Sequence, residues 1–146
     1  MEIIPDEFWL GVDQFNQQQF YACHDTLEAL WMEAIEADKK FYQGILQIAV
    51  ALHHLENHNW RGSVILLGEG MSRLQGYRPD YADIDLDLLV AQARQLLQGL
   101  QQTGADRVAI VTQYLSQPDG DTAATLCKEF PELSGLQLPR LERVGH

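Results

Sequence analysis

The sequence predicts an all-α fold, a compact bundle of five or six helices around a central apolar helix at about residues 39–57. The run FYQGILQIAVALHHL, from Phe41 to Leu55, lacks any Asp, Glu, Lys or Arg in a chain whose formal net charge is -11. A helix apolar most of the way round belongs in a core. Apolar residues recur at helical spacing in the segments before and after this run. Pro5, Asn59, Gly76, Pro79, Gly104 and Pro131 punctuate those segments where helices start or stop.

Taken in order, Pro5 with Asp6 and Glu7 makes a helix start, because proline tolerates the first turn and carboxylates favour the positive end of the helix dipole. Phe8, Trp9, Val12 and Phe15 supply the apolar face, and Asn16 with the three glutamines after it reads as a turn. A second helix is expected from Gln18 or Gln19 to Ile35, with Phe20, Leu27, Trp31 and Ala34 at the centre of its stripe and His24 and Glu28 at one edge. The segment EADKK reads as the connection to the central helix. There Phe41, Ile45, Ile48, Leu52 and Leu55 share a face, and the opposite face carries Gln43, Gln47 and His54.

Asn59 is a natural N-cap for a fourth helix bearing Trp60, Val64, Leu67, Met71 and Leu74. Gly62, Gly68 and Gly70 would weaken that helix in isolation, and they make sense where a neighbour packs very closely. The acidic DYADIDLD lacks the central Gly and terminal Glu of an EF-hand and reads as capping and solvation of a fifth helix. That helix carries Leu86, Leu89, Val90, Ala93, Leu96, Leu97 and Leu100. Beyond Gly104, RVAIVTQYL fits a short helix or a strand, TAATLCKEF a last short helix, and SGLQLPRLERVGH an extended tail lying on the bundle.

At 146 residues the chain fits a single domain, residues 1–146. With 10 Lys and Arg against 21 Asp and Glu, its average field repels phosphate backbones and anionic lipids, so neither nucleic acid nor membrane is an expected partner. Cys23 and Cys127 lack the close pairing of a zinc knuckle or redox dithiol, and the N-terminus lacks the pattern of a signal peptide. A cytoplasmic protein is expected. Cys23, without a basic neighbour, reads as a buried residue, and the three tryptophans read as core. His53 is taken to project away from the Gln43 and Gln47 face, His58 to lie in a loop and His146 at the terminus.

His24 and Glu28, four apart, can point at one atom from adjacent turns. A third ligand would come from another helix, and His54 is the best candidate. The set His24, Glu28 and His54 suits zinc or another divalent metal with positions left open for water. Glu28 and Gln47 are the candidate catalytic residues, with Gln47 and Gln43 orienting substrate. Gln47 is seven residues, or about 10 Å of helix axis, from His54, too far to share an ion easily. The alternative is a satisfied hydrogen-bond network in which His24, Glu28, Gln47 and His54 hold two helices in register, and spacing by itself favours it.

Phe15-Asn16, Phe20, His24, Leu27-Glu28 and Trp31, followed by Gln43-Gly44, Gln47, Ala49, His54, Asn59 and Gly62, together resemble the family known as domain of unknown function 309. The resemblance runs from about Phe8 to Leu89, taking in Leu74, Tyr77 and Pro79, and leaves the part from residue 105 uncovered. It implies a compact helical domain with a central helix, in a family with no established reaction whose members carry the label of metal-dependent hydrolases. This chain has Gln18 where a Gly commonly sits and Asp25 where a Glu commonly follows the histidine. Two functions are therefore carried forward. One is a hydrolase using a metal-bound water on His24, Glu28 and His54; the other is a non-enzymatic helical module whose cluster is structural and whose groove takes a peptide or small molecule.

Overall fold

The computed structural model describes Met1 and residues 3–145; Glu2 and the terminal His146 lie outside the described residues. Among the described residues seven α-helices follow one another: α1 (Asp6–Asn16), α2 (Phe20–Glu33), α3 (Glu36–Glu56), α4 (Trp60–Leu74), α5 (Leu86–Thr103), α6 (Val108–Ser116) and α7 (Asp121–Glu129). A two-stranded hairpin, β1 (Asp80–Tyr81) and β2 (Ile84–Asp85), precedes α5. The all-α class and the central position of the apolar run hold. The helix count exceeds five or six because RVAIVTQYL is a helix: Val108, Val111 and Tyr114 bury one face at helical spacing, which a strand of that sequence could not do.

Helix α3 organises the rest. Phe41, Ile45, Ile48, Ala49, Ala51 and Leu52 are completely buried along it, and α4 and α2 pack on it most extensively. It begins at Glu36, so EADKK is its first turn and a little more rather than a connection. Glu36 and Asp38 sit where carboxylates meet the positive helix end, and only extended Ala34 and Ile35 are left to join α2 to α3. α2 is correspondingly shorter than expected, ending at Glu33. Its buried stripe is Phe20, Cys23 and Leu27, while Trp31 is only partly covered and has the Lys39 ammonium 5.0 Å from its ring centre.

The α3–α4 crossing depends on glycine. A Cβ on Gly70 would lie 2.8 Å from the Gly44 carbonyl oxygen, and one on Gly44 would lie 2.7 Å from two Leu74 side-chain atoms. Nothing stands within 4 Å of a Cβ at Gly68. Asn59 caps α4 as expected, its side chain accepting from the Gly62 amide at 2.9 Å. In the turn after α1, Gln18 has φ 63, which places a side-chain-bearing residue in the left-handed region that glycine enters freely.

Most of the acidic segment acts locally. Asp85 caps α5 by accepting from the Leu88 amide at 3.0 Å, Asp87 pairs with Arg78 at 2.6 Å, and Asp83 pairs with Arg143 at 2.7 Å. The tail lies on the bundle. Asn16 donates to the Leu141 carbonyl at 2.9 Å and accepts from the Leu141 amide at 2.8 Å. Ile84 forms a bridge with Arg143, whose guanidinium stacks 4.4 Å from the Trp9 ring centre.

Candidate functional site

Helix α2 presents His24 at its outer edge because Cys23 and Leu27 point into the core, and the residues at i+1 of each then stand near the rim. Three groups converge there: the ligand atoms of His24, Asp25 and Glu28 all lie within 4.8 Å of one another. His24 Nε2 is 3.2 Å from a Glu28 oxygen, and His24 Nδ1 is 3.2 Å from an Asp25 oxygen. The imidazole is 27% exposed, against 64% for Asp25 and 49% for Glu28, so the cluster opens to solvent with the ring partly sheltered.

This geometry contains a chemical conflict. Carboxylates only accept, and a neutral imidazole has one N–H to donate. With both ring nitrogens facing carboxylates, one lone pair would meet an oxygen anion. A second proton on the ring relieves that, and so does a cation between Nε2 and Glu28. For the cation, the 3.2 Å separation compares with about 3.4 Å between two ligands of one tetrahedral ion having bonds near 2.1 Å. Asp25 would then hold Nδ1–H, the carboxylate–histidine arrangement that fixes the tautomer of metal-bound histidines.

The other residues singled out from the sequence lie elsewhere. Gln47 is on the side of α3 that faces α4, where it donates to Glu69 at 3.3 Å and accepts from Arg73 at 3.0 Å. His54 Nδ1 is 3.3 Å from the Asn59 side-chain nitrogen, and its ring abuts Gly62, whose Cβ would come within 2.9 Å of it. Among the described residues, neither Gln47 nor His54 makes a hydrogen bond or ion pair with His24 or Glu28. The structure therefore joins His24 and Glu28, adds Asp25, and gives Gln47 and His54 partners on the α4 side.

Tyr21, which the sequence did not single out, and His53, which it took to project away from the glutamine face, flank the cluster instead. The Tyr21 ring, 62% exposed, lies 5.9 Å from His24 and 5.4 Å from His53 between ring centres. His53 approaches Glu56 at 4.0 Å and the Asn57 side chain at 3.4 Å. Burial pushes the Glu56 carboxyl above its ordinary range, with His53 pulling it part of the way back. The antiparallel pairing of α2 with α3 accounts for this arrangement, since the start of one must meet the end of the other. Hairpin geometry was the available signal. Cys23, beneath the cluster, is pushed up to about 12 by burial, which leaves its thiol protonated and unreactive.

Comparison with known proteins bears on this same region. Residues 8–66 match the family model described as domain of unknown function (DUF309), a shorter stretch than the resemblance to Leu89 read from the sequence. The chain is also similar to "Uncharacterized protein YpuF" of Bacillus subtilis (strain 168), 29% identical over 100 residues, which cover 68% of this chain and 54% of the relative. It thus spans about half the length of that relative. No solved structure matches. The segment 8–66, which contains α1, α2, α3 and the start of α4 together with His24, Glu28, Gln47 and His54, is therefore the part of the chain that is similar to the domain of unknown function 309 family.

Proposed function

We propose that the protein is a metal-dependent hydrolase whose divalent ion is held on α2 by His24 and Glu28, with Asp25 orienting the imidazole. The observation that carries this reading is the two-sided carboxylate contact of His24, at 3.2 Å on each ring nitrogen. Exposure supports it over a structural network. A register-holding network would run between helices, whereas His24 takes both carboxylate partners from its own helix and leaves Glu28 half open to solvent. An ion held there would supply Lewis acidity and activate water for attack on an ester, amide or phosphoester. The chain's own contribution is to fix the tautomer through Asp25, to wall one side with Tyr21, and to keep Cys23 inert below.

Zinc or a similar divalent cation fits a set of one imidazole and one carboxylate with positions to spare. His54 would serve as a third protein ligand only by leaving Asn59, and Gln47 would orient substrate only by releasing Glu69 and Arg73.

Calorimetric titration of tag-free protein with Zn²⁺ and Mn²⁺, alongside assay of chromogenic ester and phosphoester panels, tests the reading. About one equivalent should bind; His24→Ala and Glu28→Gln should abolish binding and hydrolysis together, and Asp25→Asn should weaken the metal by about 10–100-fold. Loss in His54→Ala equal to that in His24→Ala would assign the third ligand. Absence of stoichiometric metal, with an NMR titration showing His24 doubly protonated as a plain ion pair, would overturn the proposal.

A further inference from the structure

The side of α2 away from His24 borders a groove of about 980 Å³ between the N-terminal arm, α1, α2 and the start of α3. Glu33, on its wall, is nine residues past His24, which is about 180° around the helix. The groove therefore belongs to a different face from the candidate metal site. Its walls are unusually apolar for a surface. Ile3, Leu10 and Ile35 are 83%, 53% and 69% exposed, and Ala29, Leu30 and Ala34 continue the apolar lining along α2. Contiguous apolar exposure of this kind marks an interaction site more often than scattered surface leucines do.

Charge says what occupies it. Glu7 and Glu33 stand in the lining, and neither has an ion-pair or side-chain hydrogen-bond partner among the described residues. Asp38, the third acid there, accepts from Tyr81. Among the described residues no lysine or arginine lines the groove, and the Met1 ammonium there is taken up by the Tyr81 hydroxyl at 3.2 Å. A second copy of this chain, itself at net charge -11, would bring the same acids against Glu7 and Glu33 and be repelled. Anionic lipid is disfavoured for the same reason. We infer that this groove docks a basic amphipathic helix of a different protein, its apolar face laid between Leu10 and Ile35 and its lysines or arginines meeting Glu7 and Glu33. Helix-in-groove recognition uses this division of labour: apolar anchors give affinity, and flanking charges give orientation and on-rate.

The test uses the full chain and a fluorescein-labelled amphipathic Leu/Lys peptide of about 18 residues, long enough to be helical when bound, with a Leu/Glu peptide of the same length beside it. Anisotropy titration should show saturable binding of the Leu/Lys peptide and none of the Leu/Glu peptide. The double variant Leu10→Ser/Ile35→Ser should weaken binding about tenfold or more, and Glu7→Gln/Glu33→Gln should weaken it and flatten its salt dependence. Ile110→Ser, an exposed apolar residue on α6, should change nothing. All these positions are at the surface, so circular dichroism is expected to report an intact fold. Failure of the Leu/Lys peptide to bind, equal binding to the groove variants, or equal binding of the Leu/Glu peptide would overturn the proposal. So would a dimer in sedimentation that Leu10→Ser/Ile35→Ser dissolves, since the occupant would then be a second copy.

Discussion

A single carboxyl illustrates how position alters an ordinary residue. Glu56 is the last residue of α3, where the helix dipole presents its negative end, and burial already holds its carboxyl above the usual range. A raised folded-state value means that its contribution to stability is fully present in acid, below the unfolded carboxylate range, and is lost as pH rises through the folded value. Glu56→Gln should therefore stabilise at pH 7 by about 0.3–1 kcal/mol, held to that range because the side chain is nearly half exposed and screened. The gain should shrink towards pH 4. Urea midpoints measured at both pH values check this, and a variant less stable at pH 7 would mean that the His53 pairing outweighs burial. At the same scale, the conflict at His24 emerges only in the folded chain, because helical spacing brings Glu28 near the ring but says nothing of Asp25 reaching the other nitrogen.

Among elements, the α3–α4 crossing is the most demanding contact. Gly44 and Gly70 let the two backbones touch, and a methyl at Gly70 would meet a carbonyl oxygen and the Ile48 backbone nitrogen, neither of which can swing aside. Gly70→Ala should cost about 1–3 kcal/mol through overpacking. Gly68→Ala, in the same helix with open space around it, should instead stabilise by about 0.5–1 kcal/mol through helix propensity. Chemical denaturation of the two variants side by side separates close packing from propensity, because propensity alone predicts the same sign for both. The glycines were legible in the sequence as a demand for a close neighbour. Which of Gly68 and Gly70 meets that neighbour was not, since both sit in α4 and only the crossing point distinguishes them.

At the scale of the whole molecule, the tail closes the fold onto its beginning. Asn16, at the end of α1, pairs with both backbone groups of Leu141, a residue 125 positions away. Asn16→Ala should cost about 1–3 kcal/mol by leaving a partly buried amide and carbonyl without partners. It should also raise hydrogen exchange at Leu141 and Val144 above that of the α3 amides; unchanged exchange in the tail would show that Leu136 and Leu141 hold it without Asn16. Among the described residues, no helix is long and apolar enough to cross a membrane.

The sequence by itself determined the all-α class, the central helix, the Asn59 cap and the His24–Glu28 pair, because each depends on periodicity or on neighbours within about one helical turn. It also carried enough family character for residues 8–66 to match the model of that family. Tertiary structure decided which faces meet. Gln43, Gln47 and His54 were expected to look towards α2. The close glycine crossing instead takes the Gln47 side of α3 to α4, where Arg73 and Glu69 engage it, while Tyr21 and His53 flank His24. A polar stripe in a sequence has a direction relative to its own helix but none relative to its neighbours. That rotation is set by backbone approach at Gly44 and Gly70, which only packing reveals.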